Sequence, residues 1–308
     1  MNYLDMDADR DKAWPLLPLQ EWKGTYETLH MWTQIVGKIR LALTPKVNHW
    51  WNVPLYVTVR GLTTSAMPYR GGSLEIEFDF VRHNLVISTS DGLQLAEPLR
   101  PQPVADFYRE LMARLRAVGI EVQIHPVPAE VADPIPFERD RAHASYDADA
   151  AHRFWRILGS AATVFEQFRS RFIGKSSPVH FFWGSFDLAV SRFSGRRAPE
   201  RPGADAITRE AYSHEVISTG FWPGGGDVNG AAFYSYTAPE PAGYSTCRVR
   251  PESAFYHPQL HEFVLMYDEV RAAPRPSQWL LDFLQSSYEA GAELAHWDRQ
   301  ALEAPLAA

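Results

Sequence analysis

Short stretches recur in the same order along the two halves of this chain, and that recurrence constrains the fold more than any other feature. Ile35-Val36-Gly37-Lys38 precedes Trp50-Trp51-Asn52 and a strand ending at Arg60; Phe172-Ile173-Gly174-Lys175 precedes Trp183 and a strand carrying Arg192. Further on, His83 and Val86-Ile87-Ser88-Thr89 correspond to His214 and Val216-Ile217-Ser218-Thr219. One match means little. Several, kept in order at an offset of about 130 positions, point to a diverged duplication.

Periodicity gives each half the same plan. Leu29, Trp32, Val36, Ile39 and Leu43 recur at helical spacing, and Pro45 ends that helix. Leu74 to Phe80 alternates strictly, and Asp91-Gly92 joins two further strands, Asn84–Ser90 and Leu93–Glu97, because that pair tolerates a positive φ. A helix follows Pro103 and stops at Gly119, and Ile120–Ile124 reads as a strand. Prolines at 126, 128, 134 and 136 mark a connecting arm. The second half opens on a stripe of Ala151, Phe154, Leu158, Ala161, Phe165, Phe168 and Phe172, one continuous apolar helix face. Strands are expected at His180–Phe193, Thr208–Thr219, Ala232–Thr237 and Glu262–Met266, with a last helix from Gln278 to Trp297. The fold class is therefore α+β: two diverged helix–antiparallel-sheet–helix repeats packed together, over residues 14–144 and 145–308, after a disordered acidic tail at 1–13.

Composition bounds the function. A net charge of −7 argues against a general nucleic-acid footprint, although Arg192, Arg196, Arg197 and Arg201 crowd one stretch. One cysteine, Cys247, excludes an intramolecular disulfide and a cysteine-based metal site, which fits a cytoplasmic location. No apolar run approaches membrane-spanning length. Ten tryptophans require either an aromatic core or a stacking pocket.

The runs L-H-M-W-T-Q-I-V-G-K, N-H-W-W, G-K-S-S-P-V-H-F-F-W-G-S-F-D-L, E-A-Y-S-H-E-V-I-S and G-F-W-P-G resemble an uncharacterised bacterial family, domain of unknown function 5996. The resemblance runs from about Trp14 to Leu302 and implies no activity, cofactor or site residue.

The chemistry has to be read from the residues. Gly174-Lys175-Ser176 is no phosphate loop: Arg169 stands where the motif needs its first glycine, and the motif closes a helix instead of opening one. His214-Glu215 and His261-Glu262 lack the second histidine of a zinc protease; a metal site from His180, His214 and Glu210 would have to assemble across strands. Taking 208–219 as one strand puts Glu210, Tyr212 and His214 on one face. Arg192 ends the apolar face of another and needs either a carboxylate or a ligand anion. Asp187, on the opposite face, reads as a hydrogen-bonding or sheet-edge residue. The leading expectation is a small-molecule site between the halves or on the second one. Its aromatic walls would be Trp51, Trp183 and Phe186, its polar contacts Lys175, Arg192, Tyr212 and His214, and its ligand anionic or aromatic. If the chain is an enzyme, His214 is its general acid–base. The alternatives are an interaction or oligomer-forming protein with tryptophans at an interface, and a metal-dependent hydrolase. A buried polar cleft favours the first reading, an exposed aromatic patch the second, and converging histidine and carboxylate groups the third. No cofactor is named by any motif, and the oligomeric state is left open.

Overall fold

A computed structural model describes residues 10–304; most of the expected acidic tail lies outside them, and Arg10–Ala13 forms a short helix, α1. Trp14, directly after it, is fully buried against Phe233 and Tyr267, so the chain enters the core at once.

Helix α2 (Leu19–Leu43) begins ten residues before Leu29, the first residue of the expected apolar stripe. Its first turns are held by polar contacts: Asp147 N donates to Thr25 Oγ1 (2.8 Å) and Ser145 N to Thr28 Oγ1 (3.1 Å). Six short strands follow: β1 (Tyr56–Val57), β2 (Gly61–Thr63), β3 (Met67–Tyr69), β4 (Gly72–Asp79), β5 (Asn84–Thr89) and β6 (Gln94–Pro98). They form an antiparallel sheet in the order β1-β2-β4-β5-β6, with β3 also on β4. Leu74, Ile76 and Phe78 of β4 are buried, while Glu75 and Glu77 are half-buried on the other face. Helix α3 (Val104–Ala117) packs on α2, stacking Phe107 on Trp32 at 4.6 Å. Residues 120–124 form no strand.

Asp147 then caps α4 (Ala148–Ser170) by accepting from Ala150 N at 2.9 Å. The expected stripe is buried throughout; Phe154, Phe165 and Phe168 show no exposed surface. The second sheet runs β11-β12-β10-β9-β8-β7, all antiparallel. Its members are β7 (His180–Phe182), β8 (Asp187–Arg197), β9 (His214–Trp222), β10 (Ala232–Ala238), β11 (Phe255–His257) and β12 (Glu262–Met266). Helix α5 (Ala206–Ala211) lies between β8 and β9; α6 (Tyr267–Ala272), α7 (Pro276–Leu294) and α8 (Arg299–Leu302) end the chain. Leu188, Val190, Ile217, Phe221, Phe233 and Leu265 turn one sheet face onto α4 and α7. The two sheets meet edge to edge at Leu55 and Phe181, which exchange two backbone hydrogen bonds of 2.9 Å.

The architecture is α+β, with two antiparallel sheets and eight helices among the described residues. No helix among the described residues is long and apolar enough to cross a membrane.

Candidate functional site

The second sheet's other face is where the chemistry collects. Strand alternation turns Asp187, Ala189, Ser191 and Phe193 of β8, Val216, Ser218 and Trp222 of β9, and Tyr234 and Tyr236 of β10 toward a cavity of about 650 Å³. These residues are its floor. The roof comes partly from the first half of the chain: His49 to Trp51, Val53, Ala129 and Glu130, joined by Ile207, Thr208 and Ala211 of α5.

One face of α2 holds this roof in place. Gln34 clamps the connecting arm with an amide pair: its Nε2 donates to Ala129 O and Ala129 N donates to its Oε1, both at 2.7 Å. His30 Nε2 lies 2.8 Å from Gly184 O. Gly37 leaves room for the Trp183 indole, with which a β-carbon would collide, and that indole donates to Val53 O at 2.8 Å. Lys38, buried and without an anionic partner among the described residues, lies 5.8 Å from the same ring. His30, Gln34, Gly37 and Lys38 are spaced by four, three and one, which places them on one helical stripe.

The floor is acidic at one end. The Asp187 carboxylate accepts from Ser185 Oγ and from the Tyr234 hydroxyl, and only 6% of the residue is exposed. Burial raises its pKa, while those two donors pull the other way. Glu262 faces the same space; burial and then the charge of Asp187 push it up to about 7. Glu130 is reachable by solvent yet crowded by protein, and burial, Asp187 and Asp205 raise it as well. Among the described residues none of the three carboxyl groups has a basic partner. Trp183, Trp222, Tyr234 and Phe182 surround them.

The expected site residues divide. Trp51, Trp183 and Tyr212 line the cavity. Lys175 and His214 do not line it but stand behind His49, which does: Lys175 Nζ is 2.7 Å from His49 Nε2, and the His214 ring is edge-on to His49 at 5.6 Å. Phe186 does not take part; it is in the core, stacked on Phe154 at 5.2 Å. Arg192 is also misplaced by the sequence reading. It is fully buried on the helix-covered face, with its guanidinium 3.5 Å from the Phe168 ring centre and 4.3 Å from that of Tyr288, and it donates to Phe168 O near the C-terminus of α4. Among the described residues no carboxylate pairs with it; aromatic faces and a helix-terminal carbonyl take that place. Tyr212 and His214 do not share a strand face across Glu210 either, because Asp205 caps α5 through Ile207 N and Thr208 N at 2.8 and 3.0 Å and makes 206–211 helical.

The proposed metal ligands stay apart. Glu210 pairs with Lys46 at 2.5 Å, and His180 is buried among Trp51, Tyr56 and Phe182, where burial and then Arg40 hold it down to about 3. No group of three or more histidine, cysteine or carboxylate side chains among the described residues could hold a metal ion. Trp50, Trp51 and Trp222 are half-buried and line the cavity; Trp279 is the one tryptophan among the exposed large apolar residues.

The sequence pattern of a family of unknown function, DUF5996, matches residues 14–304. The chain belongs to that family. Neither curated proteins nor solved structures give a match to it. The runs by which the DUF5996 resemblance is read map onto the cavity: the first carries His30, Gln34 and Gly37, the second His49 and Trp51, the third Trp183 and Asp187. Glu130, Glu262, Tyr234 and Tyr236 escaped the sequence reading. The Tyr234-Ser235-Tyr236 alternation and a lone acid opening the apolar run of β12 were the available signals for three of them. Glu130 had none, sitting in an aperiodic, proline-rich arm.

Proposed function

We propose that the chain binds a small organic cation, aromatic or aliphatic, in the cavity over its second sheet. The observation that carries this reading is three carboxyl groups, Asp187, Glu130 and Glu262, sharing an aromatic-walled space with no basic side chain to neutralise them. Carboxylates crowded together repel, and burial penalises each charge. An ammonium group entering among them relieves both effects. It also gains from indole and phenol faces, by about 0.5–2 kcal/mol for a desolvated cation–ring contact. A volume near 650 Å³ is in the usual range for a small-molecule site. The anionic ligand expected from the sequence relied on Lys175 and Arg192 together; Arg192 faces the other way, and Lys175 stands behind His49, outside the lining.

Calorimetric titration with phenethylamine tests this reading. Binding is expected for the native chain and should weaken by about tenfold or more in Glu130→Gln and Glu262→Gln, the equivalent of ~1.4 kcal/mol. Binding of benzoate with none of phenethylamine would reverse the sign of the site and end the proposal.

We also infer that the two halves descend from one duplicated helix–sheet–helix unit. The ordered sequence matches support it, as does the succession of α2, a meander and α3 beside α4, a meander and α7. Backbone superposition of 19–117 on 148–294 tests it; strands that correspond in neither order nor direction would remove it.

A further inference from the structure

Charge of the opposite sign gathers just beyond the far end of the same cavity, behind His49 and Tyr212 of its lining. His49 Nδ1 is 3.3 Å from Ala211 O, an atom that only accepts, so Nδ1 carries the proton and Nε2 is left to accept from Lys175 Nζ at 2.7 Å. His49 thereby accepts as a neutral ring, its pKa lowered by burial and then by Lys175, while burial also lowers that of Lys175. The lysine also lies over the rings of Trp51 and Phe193 at 5.2 and 5.1 Å. Arg201 lies 4.0 Å over the ring of Tyr212, and Arg197 pairs across the sheet with His214. Burial, then Lys175, then Arg197 lower the pKa of His214.

Two acids near this rim are already engaged: Glu210 with Lys46 at 2.5 Å and Glu215 with Arg196 at 2.7 Å. Among the described residues Lys175, Arg197 and Arg201 have no carboxylate partner. Three cations without a carboxylate partner thus stand beyond one end, and three carboxyl groups without a basic partner at the other. Helix α5 runs between the ends, with Asp205 at its start adding charge beside Glu130 and Ala211 at its finish holding His49. Along β8, Asp187 and Phe193 are six residues apart, a span of about 20 Å at the usual strand rise.

We infer that the cavity takes one elongated dipolar molecule, with an ammonium group among Asp187, Glu130 and Glu262 and a carboxylate or phosphate at Lys175, Arg197 and Arg201. The inference rests on the cation-binding reading and adds the second pole. A single molecule fits better than two because Ala189, Ser191 and Tyr236 floor a continuous space between the ends, and linking two groups makes the second contact intramolecular.

The test is a calorimetric chain-length series of straight-chain ω-amino carboxylates, each against the n-alkylamine of equal length, with inorganic phosphate as a probe of the basic rim alone. At one length the amino carboxylate should bind at least about tenfold tighter than its alkylamine, and phosphate should bind on its own. The gain should vanish in the Lys175→Met/Arg201→Met variant while alkylamine affinity is unchanged. Both residues are exposed, and a thermal melt checks that the variant folds; Lys175→Met alone serves if the pair does not. Equal affinities at every length, with no phosphate binding, would overturn the dipolar inference and leave the cation site standing. Binding of phosphate with no amine binding would overturn both.

Discussion

The carboxylate of Glu130 lies directly across Gly184, in the space a β-carbon at that position would occupy. An acid from the connecting arm is thus seated on a residue of the β7–β8 turn, and the absence of a side chain there brings it to the cavity. Gly184→Ala should displace only the flexible end of Glu130. The melting temperature is expected to change little, while phenethylamine affinity should fall about as far as in Glu130→Gln. Loss of folding with affinity retained would show that the glycine serves the turn and not the acid.

Glu262 gives a pH dependence with a definite sign. Its folded pKa is raised to about 7, so the folded chain holds a proton that the unfolded chain releases near the ordinary glutamate value of about 4.3. Its stabilising contribution is therefore full below the unfolded pKa and is lost as pH rises through about 7. Glu262→Gln should melt higher than the native chain above neutrality and lose the difference in acid. Amine binding runs the other way, strengthening as pH rises and Glu262 ionises. Parallel melts across that range, with and without phenethylamine, measure both slopes.

Arg192→Met separates structure from site. The guanidinium is enclosed by Phe168, Phe172 and Tyr288 and donates to Phe168 O. Removing it takes the charged donor from that carbonyl, which keeps only Arg171 N at 3.2 Å, a loss of about 1.5–3 kcal/mol for a hydrogen bond to a charged group. Chemical denaturation should register that loss, and phenethylamine affinity should be unchanged. A weaker ligand response in a fully folded variant would restore Arg192 to the site.

Phe165→Ala tests the core beneath the floor. The ring is fully buried and edge-on to Phe233 at 6.4 Å. Truncation should cost about 3–5 kcal/mol, read as a lower denaturation midpoint. An unchanged midpoint would mean that α4 does not pack on the sheet as described.

Long helices and alternating strands were legible because burial imposes a period on the sequence, as Phe154 to Phe168 and Leu74 to Phe80 show. Helix α5 was missed because apolar alternation was sought in 208–219, whereas the informative signal was a cap, Asp205 followed by Thr208. The site was legible by half. Alternation correctly set Asp187 and Arg192 on opposite faces of β8, but it does not say which face helices will cover. An apolar face with an arginine resembles a ligand wall until α4 and α7 supply the rings that surround the charge. Glu130 could not be read from periodicity, because its place is set by the Gln34 amide pair, a contact spanning 95 positions.

That pair has a consequence for how the family can diversify. The floor residues are locked in a ladder where each change disturbs two neighbouring strands, but Ala129 and Glu130 hang from a single glutamine on a connector with no strand partners. Substitutions in the connector can therefore alter what the cavity selects while the sheet beneath stays in register. Among relatives, variation in selectivity should accumulate on the connector around Ala129 and Glu130, with Gln34 as the hinge pin that keeps each version aligned.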